Sequence, residues 1–311
     1  AETAPIEVKG PAGALSQICI TFGILVAFMV GLGIGDVDTD DVSSFEIQSY
    51  WYIIFAIPII IALLQILLLL TLFPYDTPVM LKTWKKDKEL KELMTKIYID
   101  EKTADERIAL IKVEEPPKEG DEENENDPSC NAVCCSPRYA RASWIGCLLS
   151  VFQQLTGINA IMFYSNIIFK GLSMTNTMVT ALVGIVNFIA TLGGLVLLFF
   201  FGRRFLLFSG SVAMSVTLLL LSTFAFMHES IGMVVSLLLF IVFFELSTGP
   251  ILWLYMAEIM RDKALAVGAS LNWTVSLIIS LSVPFLLKVI SVGVLFLIFA
   301  ILTIIGTILI W

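Results

Sequence analysis

Residues 151–166 read VFQQLTGINAIMFYSN and place three amide side chains inside an otherwise lipid-like run. Gln153, Gln154 and Asn159 lie close to Gly157, with apolar residues on both sides. A buried amide without a hydrogen-bond partner costs about 1–3 kcal/mol, so polar groups within a membrane usually face other helices or a water-filled cavity. The stretch therefore indicates a membrane helix with a polar face.

The composition of the chain as a whole agrees with a membrane setting. Of 311 residues, 58% are hydrophobic and only 15% are charged, with a net charge of -8. A soluble domain could not cover so much apolar surface, so we predict an all-α integral membrane protein. Windows of roughly 20 apolar residues predict eight spanning helices. They cover residues 13–34, 50–73, 144–169, 177–201, 205–227, 231–257, 264–287 and 289–311.

Residues 74–142 form the largest break between these windows. Within them, residues 84–115 repeat apolar positions every three or four residues, which predicts two short amphipathic helices. The acidic, proline-containing residues 116–130 follow and are typical of a flexible linker.

Basic residues near the span ends predict the orientation in the membrane. With the long loop set aside, five fall on one side and two on the other. The five are Lys9, Arg203, Arg204, Arg261 and Lys263, and the two are Lys170 and Lys288. The positive-inside rule then places both termini and the long loop on the cytoplasmic side.

Amides and indoles also occur in other spans. Gln17, Asn187 and Asn272 are neutral side chains that both donate and accept hydrogen bonds, and Trp253 and Trp273 offer flat apolar faces. Such a lining suits an uncharged ligand rich in hydroxyl groups better than an ion. The alternative is ordinary helix packing, in which a polar contact contributes about 0.6 kcal/mol.

The sixth window, residues 231–257, holds a carboxylate and a helix breaker. Glu245 lies within the span, and Pro250 after Gly249 interrupts the helical hydrogen bonds. A broken membrane helix is either a hinge or a structural kink. Charged residues at the predicted inner edge fit either a latch between helices or simple anchoring; they are Arg203, Arg204, Glu258 and Arg261.

Taken together, these segments resemble the sugar porter family of the major facilitator superfamily and are similar to facilitative hexose transporters. QQLTGINAIMFYS (residues 153–165) resembles the family's seventh-helix motif. The other matching segments, in chain order, are ETAPIEVKG (2–10), PYDTP (74–78), FGRR (201–204), GPILW (249–253) and LNWT (271–274).

The resemblance implies a partial major facilitator fold. The eight spans correspond to family helices five to twelve, so helices one to four of the family are not among them. Residues 1–73 would end the N-terminal half, residues 74–142 would link the halves in the cytoplasm, and residues 143–311 would form the C-terminal six-helix half.

The resemblance also implies the roles of individual residues. The implied sugar-binding residues are Gln17, Gln153, Gln154, Asn159, Asn187, Glu245, Trp253 and Asn272, with Trp273 beside the site. The implied gating residues are Glu2, Lys9, Asp76, Arg203, Arg204, Gly249, Pro250, Glu258 and Arg261. Lys9 stands where the family has arginine, and a lysine cannot make the planar bidentate contact of a guanidinium.

The function implied is transport of a hexose such as glucose by alternating access, in the plasma membrane by family default or in an organelle membrane. We expect no enzymatic activity, cofactor, metal site or nucleic-acid partner; the expected partners are the hexose and the lipid bilayer. One alternative is a truncated, transport-inactive homologue that is a structural subunit of a larger membrane complex, with partner chains supplying the missing helices. Another is a proton-coupled symporter of a sugar or polyol.

Overall fold

The structure, a computed structural model, describes residues 9–32, 45–72, 76–98, 100–111, 140–168, 176–260 and 262–310. Within these ranges every regular element is a helix. Eight helical stretches there are long and apolar enough to cross a membrane. The predicted all-α membrane architecture with eight spans is thus confirmed.

The chain divides into two compact units by its internal contacts. The first contains residues 1–15 and 37–127, and the second contains residues 16–36 and 128–311. Contacts thus group residues 16–36 with the C-terminal region, whereas the family resemblance assigns them to the N-terminal half. The domain division drawn from the resemblance stays a prediction.

Four helices belong to the first unit: α2 (Phe45–Thr71), α3 (Pro78–Thr83), α4 (Asp87–Ile97) and α5 (Glu101–Leu110). The described side chains of α2 are mostly exposed and almost all apolar, a surface suited to lipid. Two helices were predicted in residues 84–115 and correspond to α4 and α5. The additional helix, α3, starts with proline at its first position, where the missing N–H is not needed.

The three short helices α3, α4 and α5 pack their apolar faces on one another, burying Leu81, Leu90, Met94 and Ala104. Lys82 donates from Nζ to the carbonyl oxygens of Ile108 and Ile111 at the end of α5, at 2.6 and 2.7 Å.

An ion pair joins α4 to α5 on their exposed side. Lys91 lies 3.2 Å from Glu101 and 3.5 Å from Asp105. The hydrogen bond to Glu101 and the charge of Asp105 raise the pKa of the Lys91 ammonium. The short helices are thus joined by an apolar core and by a screened surface pair.

The second unit takes most of α1 (Lys9–Leu32) and the remaining helices. These are α6 (Ala140–Leu155), α7 (Ile158–Ile168), α8 (Asn176–Phe200), α9 (Arg203–Met227), α10 (Ser230–Leu246), α11 (Thr248–Ile259), α12 (Asp262–Val289) and α13 (Val292–Ile310). Helix α9 packs against both α10 and α13, and α6 packs against α12. Large apolar side chains such as Phe240 and Phe296 are fully buried in the core between them.

The third span is divided by a turn at Thr156 and Gly157, which separates α6 from α7. Gly157 has φ +83°, a left-handed conformation that side chains with a Cβ rarely adopt. A Cβ at this position would lie 2.7 Å from the ring of Phe299. The glycine therefore allows the amide-bearing span to change direction against α13.

The sixth span is broken at Ser247, which separates α10 from α11 and has φ -133° and ψ -90°. We predicted the break at Gly249 and Pro250, but it begins two residues earlier. The physical reason is that a proline ring clashes with the carbonyl four residues before it, here that of Leu246. Pro250 is accordingly the third residue of α11, where its missing N–H leaves no intrahelical bond unmade.

Candidate functional site

Four amides from three helices of the second unit are joined in one hydrogen-bonded series, called the amide chain below. Asn159 Nδ2 donates to Gln154 Oε1 (2.5 Å), and Gln154 Nε2 donates to Asn272 Oδ1 (2.9 Å). Asn272 Nδ2 donates to Gln153 Oε1 (2.9 Å), and Gln153 Nε2 donates to the carbonyl of Thr248 (3.1 Å). The structure thus brings together four of the predicted sugar-binding residues.

Backbone and hydroxyl groups give two members of the amide chain further partners. Asn272 also donates to the carbonyl of Ser150, and Asn159 also donates to the hydroxyl of Ser276 at 2.6 Å. Asn159 is the partly exposed member of the chain, whereas the other three amides are buried. A ligand would therefore meet Asn159 first.

A second polar group surrounds Glu245, the last-but-one residue of α10; it is called the carboxylate cluster below. Gln17 Nε2 and Thr191 Oγ1 donate to Oε2 of Glu245 at 3.2 and 3.0 Å, and Asn187 Nδ2 donates to Oε1 at 3.1 Å. Glu245 is only 3% exposed. Three neutral donors on α1 and α8 thus orient one buried carboxylate.

The carbonyl oxygen of the Asn187 side chain, Oδ1, is buried and has no hydrogen-bond partner among the described residues. The residue is 1% exposed, so bulk water does not solvate it. A buried acceptor left without a donor costs about 1–3 kcal/mol. A ligand hydroxyl or an ordered water that donated to this oxygen would recover that free energy.

The break at Ser247 lies between the amide chain and the carboxylate cluster. Glu245 precedes the break by two residues, and Thr248, whose carbonyl accepts from Gln153, follows it. Glycines allow the close packing here: a Cβ on Gly249 would lie 2.9 Å from Glu245 Oε2, and one on Gly194 would overlap the Glu245 carbonyl. A movement at the break would therefore act on both groups together.

The two predicted tryptophans are placed differently from the amides. Trp253 is half-buried in α11, while Trp273 is 66% exposed on α12 even though its neighbour Asn272 is buried. Their stacking on a sugar ring stays a prediction.

Among the predicted gating residues, Arg203 and Glu258 form an ion pair, with Nη2 and Oε1 2.7 Å apart. This pair, called the latch below, joins the start of α9 to the end of α11. Both side chains are about half exposed, 46% and 41%. Arg204 is exposed next to the latch.

The other predicted gating residues are not placed at the latch. Asp76 is exposed in the first unit. Glu2, Arg261 and the side chain of Lys9 lie outside the described residues. Their gating role stays a prediction.

Two residues that hydrogen-bond within these groups were not predicted from the sequence; they are Thr191 and Ser276. Each lies four residues after a predicted amide on the same helix, Asn187 or Asn272, and therefore on the same helix face. That spacing was the available signal. Serine and threonine are common in membrane helices, where many bond only to their own backbone, so the signal is weak.

In the part of the chain that the structure describes, no cluster of three or more His, Cys, Asp or Glu residues could hold a metal ion. The groups that the amide chain and the carboxylate cluster offer are amides, hydroxyls and one carboxylate. Such groups can bind hydroxyl-bearing ligands by exchanging hydrogen bonds.

Comparison with known proteins gives a family. Residues 1–311 match the family described as "Sugar (and other) transporter". Hexose transporter 1 of Plasmodium knowlesi is 31% identical over 309 residues, which cover 94% of this chain and 61% of that protein. Glucose transporter GlcP of Staphylococcus epidermidis is 32% identical over 312 residues, which cover 96% of this chain and 64% of that protein. The chain spans less than two thirds of the length of these relatives.

Solved structures show the same fold. The major facilitator superfamily proton:xylose symporter XylE, bound to 6-bromo-6-deoxy-D-glucose, matches with a TM-score of 0.79 and 25% identity, covering 100% of this chain and 65% of that chain. XylE from E. coli in a partially occluded inward open conformation matches with a TM-score of 0.78 and 24% identity. The chain therefore belongs to the sugar transporter family and is a multi-pass membrane protein with part of the major facilitator fold.

Proposed function

We propose that the full-length protein transports a hexose such as glucose by alternating access, and that the amide chain and the carboxylate cluster bind the sugar. The observation that carries the proposal is the buried series of neutral amides, with the Asn187 carbonyl oxygen beside Glu245 lacking a donor. The family and its hexose-transporting relatives support the substrate class.

The chemistry of the amide chain favours an uncharged, hydroxyl-rich ligand. A sugar hydroxyl both donates and accepts hydrogen bonds, as a side-chain amide does. A hexose can therefore replace amide–amide bonds by amide–hydroxyl bonds without leaving buried polar groups unpaired. An ion, in contrast, would have to exchange its hydrating water molecules for neutral amide groups. The carboxylate oxygens of Glu245 would accept from the sugar more strongly than neutral groups do.

Bending at the helix break at Ser247 and opening of the latch would together move the site. Bending at Ser247 displaces α11, which carries both the Thr248 carbonyl of the amide chain and Glu258 of the latch. Separation of Arg203 from Glu258 would then open one side of the site. No covalent bond changes in this cycle, so binding energy and conformational change suffice.

Uptake of labelled glucose tests the proposal in cells that lack their own hexose transport and express the protein from its complete reading frame. The double variant Gln153→Ala/Asn159→Ala should lose transport, because removing two hydrogen bonds at about 1 kcal/mol each weakens affinity about thirtyfold. Undiminished uptake by this variant would show that the amide chain does not bind the sugar.

Thr274→Ala is the matched control, since Thr274 is exposed on α12 and, among the described residues, donates its hydroxyl to the Ser270 carbonyl of its own helix. Uptake by this variant should equal that of the wild type. A wild-type protein that reaches the cell surface yet takes up no hexose would contradict the proposal as a whole. Uptake that collapses on dissipating the proton gradient would identify a symporter in place of a facilitator.

A further inference from the structure

A groove of about 490 Å³ lies on the second unit, and no residue of the amide chain or of the carboxylate cluster lines it. One face of α6 forms one wall, with residues at helical spacing from Arg141 to Leu155. One face of α13, from Leu302 to Leu309, forms another. The start of α9 and Tyr255 of α11 complete the lining. The α6 wall runs from residue 141 to residue 155, which is 14 steps of 1.5 Å or roughly 21 Å.

The charges of the groove are gathered at one end. Its lining contains two basic residues, Arg141 in the first turn of α6 and Arg204 in the first turn of α9, and both are exposed. Successive spans cross a membrane in opposite directions, so α6 and α9, the third and fifth spans, run the same way. Both arginines therefore lie at the same membrane surface, while apolar side chains such as Leu148, Phe152 and Ile305 line the rest.

We propose that this groove binds an anionic phospholipid, with the phosphate between Arg141 and Arg204 and an acyl chain along α6 and α13. An arginine guanidinium matches the geometry of a phosphate and has five N–H donors, so Arg204 can bind it while keeping another partner. The apolar length fits a hydrocarbon chain that enters from the bilayer. A sugar, which has no long apolar part, would leave this lining unused.

Two features of the groove make it possible to distinguish lipid binding in the groove from nonspecific electrostatic attraction between the protein and anionic lipids. Arg203, adjacent to Arg204, does not line the groove and pairs with Glu258. On α13, Gly306 lies directly against the ring of Phe152, so the floor stays open where a larger residue would push the ring aside. The charge and the shape of the groove can therefore be altered separately.

The test is native mass spectrometry of the purified chain with dioleoyl phosphatidylglycerol, against dioleoyl phosphatidylcholine. Wild type should retain phosphatidylglycerol selectively. Arg141→Gln/Arg204→Gln should weaken that binding about thirtyfold, the effect of losing two cations near the membrane surface. Arg203→Gln removes one positive charge adjacent to Arg204 but outside the groove, and this variant should bind phosphatidylglycerol as the wild type does. Equal lipid binding by the double variant and the wild type would overturn the proposal.

Ile305→Trp tests the shape of the groove with both arginines intact. Ile305 is half exposed, so a larger side chain is accommodated without repacking the core, and it should fill the groove and abolish retention. Leu148→Trp does the same from α6. Full retention by both variants would overturn the acyl-chain assignment, and so would displacement of the lipid by an equal concentration of glycerol phosphate. A photoreactive phosphatidylglycerol should label residues 141–155 and 302–309 of the wild type.

Discussion

Glu245 combines deep burial with three hydrogen bonds from neutral donors. Gln17, Asn187 and Thr191 all point N–H or O–H groups at the two carboxylate oxygens. The carboxylate therefore fixes the positions of side chains from two other helices. Removing the carboxylate would leave all three donors without their acceptor, whereas removing one donor would leave two hydrogen bonds in place.

Glu245→Ala should lower the free energy of unfolding by about 1–3 kcal/mol for each buried donor that it leaves unpaired. Thr191→Val removes one donor, leaves two bonds to the carboxylate, and should therefore cost less. Thermal unfolding in detergent micelles measures both variants. A higher melting temperature for Glu245→Ala than for wild type would contradict the prediction, since desolvation of the charge would then outweigh its hydrogen bonds.

In the part of the chain that the structure describes, two of the spanning helices are interrupted, and the interruptions arise from different residues. Gly157 divides the third span by adopting a left-handed conformation, and Pro250 divides the sixth span by excluding the carbonyl of Leu246. Predicted sugar-binding residues adjoin each interruption: Gln154 and Asn159 lie on either side of Gly157, and Glu245 precedes Ser247 by two residues.

Gly157→Ala should destabilise the protein by about 1–2 kcal/mol, because an alanine in the left-handed region is strained and its Cβ would press on the ring of Phe299. Gly23→Ala in α1 is the control. Apart from the backbone of its own helix, no described atom lies within 4 Å of a Cβ there, so this variant should gain up to about 1 kcal/mol of helix propensity. Melting temperatures in micelles compare the two, and equal shifts would contradict the strain argument.

The latch joins the start of α9 to the end of α11 at the surface. An exposed ion pair contributes only about 0–1 kcal/mol to stability, so Arg203→Glu should leave the melting temperature almost unchanged. It should nevertheless slow sugar uptake, because like charges at residues 203 and 258 disfavour the closed gate. The exchange Arg203→Glu/Glu258→Arg should restore uptake. Wild-type uptake by the single variant would exclude a gating role for the pair.

At the scale of the whole molecule, the arrangement in the membrane can be tested at the two ends of α9. The helix has 25 residues, roughly 37 Å, enough to cross a hydrocarbon core of about 30 Å. With native cysteines replaced by serine, Glu229→Cys should react with an impermeant thiol reagent on intact cells. Gly202→Cys should react only after permeabilisation. The reverse pattern would invert the predicted orientation.

The fold was predictable because its main signal is simple: apolar runs of sufficient length. Such runs located every span, yet they could not locate the interruptions, which depend on local backbone geometry. The helix break at Ser247 illustrates this, since nothing in a serine side chain requires it and the cause lies three residues later in Pro250.

The candidate site was predictable in its amides, whose presence in a lipid-like run is itself unusual. Thr191 and Ser276 were missed because a hydroxyl in a membrane helix commonly bonds to its own backbone. The outward direction of Trp273 could not be inferred from its neighbour Asn272, since adjacent residues on a helix point about 100° apart. The sequence showed which polar residues lie within apolar runs. Which of these residues contact one another depends on how the helices pack.

The amide chain and the carboxylate cluster also have a consequence for how the protein is made. Gln154 is separated from its partner Asn272 by 118 residues, and Gln17 from Glu245 by 228. At about 5–20 residues per second, a ribosome takes roughly 6–24 s and 11–46 s to cover these distances. The first amides thus enter the membrane long before their partners are synthesised. Until then water, lipid headgroups or the insertion machinery must satisfy them, so the protein should be most vulnerable to degradation before its last helices emerge.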